Sequence, residues 1–180
     1  YSEGFGSSDE GVGAAGPGPT VTTPSSGNWM VNVGGGTFAG GDWLRVEGGA
    51  MEGTDTDGEV VWESKSIDIS TSGPVDIALD LAEFGTMEAG DYIRAYYEVD
   101  ALGLVQFTNG DITDDNAVEG DGVFRNLTAT GLTGNTIRIV VRFNNNAVGE
   151  FHRLDNVRVY PSGAGFPSIS DINSPTATVS

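Results

Sequence analysis

Carboxylates are the most abundant reactive groups in this chain, and they gather in turns. Asp55 and Asp57 alternate with threonines in the stretch Glu52-Gly53-Thr54-Asp55-Thr56-Asp57-Gly58-Glu59. Further acids lie in 111–115 and 119–121. Alternating carboxylates beside glycine suit a hard cation such as Ca²⁺, which needs about six to eight oxygens gathered by a tightly turning backbone. Asp55 and Asp57 meet that need in part. The EF-hand pattern is absent, because no bidentate Glu follows at the twelfth position. A solvated acidic loop is the other reading of each cluster in so acidic a sequence.

Arginines beside aromatic rings form a second chemical set. Seven of the eight basic residues are arginine, and Lys65 is the one lysine. Tyr92, Arg94 and Tyr96 alternate along one segment, Arg138 and Arg142 along another, and Trp43 with Arg45 along a third. An aromatic ring stacks on the face of a pyranose, and a guanidinium fork grips a carboxylate or sulfate. If the chain binds a sugar, anionic or neutral, Tyr92, Arg94, Tyr96, Arg138 and Arg142 are the leading candidate contacts, with Trp43 and Arg45 as the alternative patch. The competing use of each arginine is a cross-strand pair with an acid such as Asp76, Asp80 or Glu98.

Paired carboxylates for glycoside hydrolysis stay open in so acidic a chain, and the other catalytic signals are weak. The chain has no Cys and a single His, His152, in Glu150-Phe151-His152-Arg153. A lone His beside a Glu lacks the matched partner that general acid–base or nucleophilic chemistry requires, so a structural or ligand-contact role is expected of it. No G-x-S-x-G, phosphate-binding loop or dinucleotide fingerprint occurs. Gly34-Gly35-Gly36 reads as a loop, and the chain is expected not to be an enzyme.

The elements that position these residues carry a period of two. Val75-Asp76-Ile77-Ala78-Leu79-Asp80-Leu81 places aliphatics at every odd position, and Thr136 to Phe143 separates Ile137, Ile139, Val141 and Phe143 from Thr136, Arg138, Val140 and Arg142. Tyr92 to Val99 divides in the same way, putting Ile93, Ala95, Tyr97 and Val99 on the core side. Such alternation marks half-buried antiparallel strands. With Trp29–Val33, Trp43–Val46, Val60–Glu63, Ile67–Ser70, Leu104–Thr108, Arg125–Ala129 and Leu154–Tyr160, about ten strands are expected. No segment shows a sustained helical stripe. The expected class is all-β, a two-sheet antiparallel β-sandwich of jelly-roll type, with a closed barrel as the alternative.

Residues 1–160 are expected to form this module, with residues 1–28 free of periodicity. A Pro/Ser/Thr/Gly-rich linker or tail is expected over 161–180. The 180 residues hold 26 acids against 8 bases, a formal charge of −18. That charge opposes nucleic acid and anionic membrane surfaces as partners. An acidic, lysine-poor surface suits a secreted protein working in salt.

The opening Tyr1-Ser2-Glu3-Gly4-Phe5 and the closing Leu154-Asp155-Asn156-Val157-Arg158-Val159 together resemble the calcium-containing β-jelly-roll carbohydrate-binding modules of secreted polysaccharide-degrading enzymes. The segments Asp57 to Ser64 and Ile67 to Ser70 resemble such modules from marine bacteria. The resemblance implies a structural Ca²⁺ held by Glu3 and Asp155 with help from the Asp55 and Asp57 loop. It also implies a non-catalytic role, holding covalently linked catalytic or adhesion domains at a polysaccharide. An adhesion or spacer module without sugar binding is the first alternative, and a small polysaccharide lyase or hydrolase the second.

Overall fold

A computed structural model describes residues 1–113 and 122–164. Fourteen strands occur among them: β1 (Ser2–Glu3), β2 (Gly13–Ala15), β3 (Thr20–Thr22), β4 (Trp29–Asn32), β5 (Trp43–Glu47), β6 (Ala50–Thr54), β7 (Val60–Ser64), β8 (Ile67–Asp68), β9 (Val75–Phe84), β10 (Tyr92–Val99), β11 (Val105–Thr113), β12 (Arg125–Leu132), β13 (Thr136–Asn144) and β14 (Phe151–Pro161). Every pairing is antiparallel, and the strands divide between two sheets. The architecture is an all-β sandwich. No helix among the described residues is long and apolar enough to cross a membrane.

One sheet runs β12-β9-β14-β6-β5-β2-β3, and the other runs β11-β10-β13-β7-β4. Each contains a long strand that serves two short partners on one edge. In the first sheet, β14 pairs with β6 over His152 to Leu154 and with β1 over Val157 and Arg158. In the second, β13 pairs with β8 over Thr136 and Ile137 and with β7 over Val140 to Phe143. The bulge in β14 between Asp155 and Arg158 lies between its two partners, with Asn156 at φ 52°. Bulges increase local twist and re-aim side chains, and Asn is among the residues that tolerate this conformation.

The core forms where the alternation places it. Ile137, Ile139, Val141 and Phe143 from β13 are buried, as are Val75, Ile77, Leu79 and Leu81 from β9. Phe5, Trp29 and Trp62 form an aromatic cluster in this core, with Phe5 edge-on to each indole at 5.9 Å between centroids. Edge-to-face rings at this spacing add attraction beyond the area they bury.

The structure departs from the sequence expectation in several places. Residues 1–28 contain three strands, because β1 and β2 join the edges of other strands without needing an alternating pattern of their own. β6 is buried at all five positions, so it carries no polar face to reveal it. Tyr97 is half-buried, its ring edge-on to Phe107. The last strand, Phe151–Pro161, extends past both ends of the expected Leu154–Tyr160. Residues 114–121, which hold much of the second and third acidic clusters, and 165–180 of the expected tail lie outside the described residues.

Candidate functional site

The outer face of the β11-β10-β13-β7-β4 sheet brings together five of the seven residues expected to meet a ligand. Register decides the arrangement. Arg94 of β10 lies opposite Arg142 of β13 and Asp111 of β11, while Glu98 lies opposite Arg138. Two arginines directly across a ladder repel one another unless acids flank them. Here the acids are present. Arg94 Nε donates to Asp111 Oδ1 at 2.6 Å, and Arg142 Nη1 lies 3.3 Å from Glu59 Oε1. Arg138 spans two strands, reaching Glu63 on β7 and Glu98 on β10, each at 2.8 Å.

The tyrosines are woven into the same lattice. The Tyr92 hydroxyl donates to Glu59 Oε2 at 2.7 Å, and the Arg94 guanidinium stands 3.9 Å from the Tyr92 ring centroid. Arg142 stands 5.2 Å from the Tyr96 ring. Burial and the Glu59 carboxylate together push the Tyr92 phenol up to about 12. The side chains of Arg94, Arg138 and Arg142 are about a third exposed, though Arg142 Nε is buried. Three guanidinium groups face four carboxylates across these rows. The lattice therefore offers paired donors and acceptors and no surplus of positive charge. Of the cross-strand partners foreseen for the arginines, Glu98 is used, while Asp76 and Asp80 belong to β9 in the opposite sheet.

Trp43 and Arg45 lie on the other sheet, in β5. Arg45 stands 4.4 Å from the Trp43 ring centroid and pairs with Glu47 at 2.8 Å. Trp43 Nε1 donates to the buried Glu52, which also receives Arg153 at 2.5 Å, and Phe151 lies 6.4 Å from the indole. The indole is thus fixed from several sides, and this patch belongs to a different surface from the tyrosine–arginine lattice.

The four expected calcium ligands do not converge. Glu3 pairs in register with Val157 and lies within electrostatic reach of Asp155. Asp55 follows β6, where Gly53 pairs with His152. Continuing that register puts Asp55 level with Glu150, seven residues from Val157, or about 23 Å along the strand at 3.3 Å per residue. Asp55 instead neighbours Asp42 and Asp57. One ion cannot bridge that separation. The spacing within each loop was legible, but the shift between strands was not.

Glu3 and Asp155 fit a hard cation in part. Burial raises both carboxyls, and each lies in the other's electrostatic neighbourhood or beside a further acid, Asp9 for Glu3 and Asp80 for Asp155. Glu3 Oε1 accepts the Phe5 backbone N–H at 3.0 Å, and Asp155 Oδ1 accepts that of Asn156 at 2.6 Å. Each side chain then keeps oxygen capacity for an ion.

A separate carboxylate cluster, able to hold a metal ion, lies where the β9–β10 and β13–β14 connections meet. Oxygens of Glu88, Asp91 and Glu150 lie within 4.8 Å of one another, and Asp91 and Glu150 are buried. Burial first, then the neighbouring Glu88 and Asp91, push the Glu150 carboxyl up to about 8. Sequence reasoning passed over this set. Glu88-Ala89-Gly90-Asp91 carries the same pairing of acids with glycine as the Asp55 loop, and that was the available signal. Glu150 joins it only through the fold. His152, two residues further on, is fully buried with Nε2 3.0 Å from Glu83 Oε1. This placement encloses the ring away from solvent.

No protein-family model matches this sequence, and no curated protein matches it. Solved structures do. The carbohydrate-binding module TmCBM61, determined with β-1,4-galactotriose, is 13% identical, with a TM-score of 0.43 covering 76% of this chain and 84% of that one. A family 16 carbohydrate-binding module is 10% identical, with a TM-score of 0.37 over 64% of this chain and 79% of that one. The K1 cleaved adhesin domain of Lys-gingipain from Porphyromonas gingivalis W83 is 15% identical, with a TM-score of 0.49 over 91% of this chain and 98% of that one.

Proposed function

We propose that this chain is a non-catalytic polysaccharide-binding module that presents the outer face of the β11-β10-β13-β7-β4 sheet to its ligand. The observation that carries the reading is the half-exposed lattice of guanidinium–carboxylate pairs set around Tyr92 and Tyr96. Each pair holds a donor beside an acceptor at a fixed spacing, which suits neighbouring sugar hydroxyls that both donate and accept. The tyrosine rings add flat apolar surface for a pyranose face. Because every one of these arginines already has an acid, a neutral polysaccharide fits better than a carboxylated or sulfated one.

The module acts outside the cell in this reading, holding covalently linked domains near a polymer and raising their effective concentration there. Glu3 and Asp155 would hold a structural Ca²⁺, which supplies charge neutralisation where the first strand meets the last. The carboxylates of the lattice are tied to arginines and His152 is enclosed, so neither provides a free acid–base pair for hydrolysis or lyase chemistry.

Affinity electrophoresis through gels containing neutral and anionic polysaccharides tests the assignment. Retardation by at least one neutral polymer is expected, and Tyr96→Ala or Arg138→Ala should weaken it while Trp43→Ala leaves it intact. Migration unaffected by every polymer would favour a spacer module. Release of reducing ends or unsaturated uronates by the purified chain would make it an enzyme.

A further inference from the structure

We propose that Glu88, Asp91 and Glu150 form a divalent-cation site, selective for a hard ion such as Ca²⁺, that clamps the β9–β10 connection to the β13–β14 connection. This site is separate from Glu3 and Asp155 and does not depend on the sugar-binding assignment.

Geometry is the first support. Ca²⁺ binds oxygen at about 2.3–2.6 Å, so two oxygens on one ion lie no more than roughly 5 Å apart. The three carboxylates satisfy that limit, with oxygens mutually within 4.8 Å. The second support is independent of the clustering. Glu150 is 4% exposed, and its Oε2 is buried without any hydrogen-bond partner. A carboxylate oxygen left bare in an interior is costly, since water can no longer solvate it. Its side chain faces Glu88, another acid, so the two are compatible only when a proton or a cation lies between them. Among the described residues, none of the three carboxylates has a lysine or arginine partner. A cation would satisfy all three at once.

The surroundings are built to hold the carboxylates where they are. Asp91 Oδ2 accepts the Glu88 backbone N–H at 2.7 Å, while Asp91 N–H donates to Glu88 O at 2.9 Å, closing a tight turn that sets both acids. On the other connection, Asn145 Nδ2 donates to Glu150 O at 3.2 Å and to Gly53 O at 3.0 Å. Gly85, at φ 99°, lets the two connections meet, since a Cβ there would stand 2.5 Å from Gly149 O. Glu88 is exposed, so an ion has a route in from solvent and waters can complete its shell.

The test uses the full chain stripped with EDTA and then titrated with CaCl₂, with MgCl₂ in parallel, by calorimetry and thermal melting. In a Glu3→Gln, Asp155→Asn background, which removes the other proposed calcium ligands, Ca²⁺ should still bind and raise the melting temperature. Adding Glu88→Gln or Asp91→Asn should weaken that binding by about tenfold or more, as expected when a charged ligand is lost. Glu88 is exposed, so its exchange leaves the core intact, and should the double background fold poorly, Glu88→Gln in the otherwise unaltered chain should lose one of two bound Ca²⁺ equivalents. Absence of Ca²⁺ binding at about 10 mM, or equal affinity with and without Glu88→Gln, overturns the proposal.

Discussion

At Tyr92 the phenol and its neighbours report directly on the lattice. Burial is the larger cause of its raised pKa of about 12, and the Glu59 hydrogen bond adds to it by stabilising the protonated hydroxyl. Glu59→Gln removes the charge, so alkaline titration followed by phenolate absorbance should show Tyr92 moving down toward the ordinary value of about 10. No movement would mean that Glu59 does not hold the phenol. Arg138 gives a second residue-scale prediction. Its removal by Ala leaves Glu63 and Glu98 facing each other without their shared cation. The pairs are part-exposed, so a loss of about 1–2 kcal/mol by denaturant unfolding is expected, between the values for surface and buried pairs. The exposure of Tyr92, Arg94, Tyr96, Arg138 and Arg142 was legible, because alternation alone sets which side chains leave the core. Their partners Glu59, Glu63 and Asp111 were not, because those contacts depend on which strands become neighbours.

Connections between strands decide what lies at each end of the sandwich. Asn145 is fully buried and ties three segments. Its Nδ2 reaches Gly53 O and Glu150 O, and its Oδ1 accepts the Thr56 N–H at 3.1 Å. Three hydrogen bonds at about 1 kcal/mol each put the cost of Asn145→Ala near 3 kcal/mol in equilibrium unfolding, and a change below about 1 kcal/mol would remove it as a tie. Asp100 makes a charge-dependent link. Its Oδ1 accepts the backbone N–H groups of Asn135 and Thr136 at 2.8 Å each, and these hold its pKa below the ordinary value, with Thr136 the larger cause. A lowered folded-state value stabilises the protein above the unfolded pKa of about 3.9, and the gain is lost as pH falls through the folded value. Asn tolerates the positive φ of 51° at this position. Asp100→Asn should therefore melt lower than the parent near neutral pH, with the gap closing in acid. A gap independent of pH would count against the charge. The run Asn144-Asn145-Asn146 does not show in sequence which of three asparagines turns inward. β6 was equally hidden, since a strand buried on both faces lacks the contrast that alternation requires.

Over the whole molecule, charge bears on the proposed ligand more than any single contact does. The sequence carries a formal charge of −18, and the proposed face adds no positive island to offset it, since its arginines are matched by acids. The acidity itself was plain from composition, and the all-β class from the period-two alternation. The pairing of the arginines was not, because an arginine count says nothing about partners until the strands are assembled. An anionic polymer approaching this face meets repulsion from the whole protein and must also break an existing ion pair to gain each guanidinium. A neutral polymer needs only the hydroxyl contacts and the tyrosine rings. Between about 20 and 500 mM NaCl the screening length falls from roughly 20 Å to about 4 Å, so any long-range charge contribution should largely disappear over that range. Binding to a neutral polysaccharide is expected to change by less than about threefold across it, because hydroxyl hydrogen bonds and ring stacking do not act at that distance. Sulfated or carboxylated polymers should bind weakly at low salt and no better than their neutral counterparts at high salt. Affinity for an anionic polymer that is strong at 20 mM and falls by more than about tenfold at 500 mM would show that the guanidinium groups leave their carboxylates for the ligand, and would assign the face to anionic polysaccharide instead.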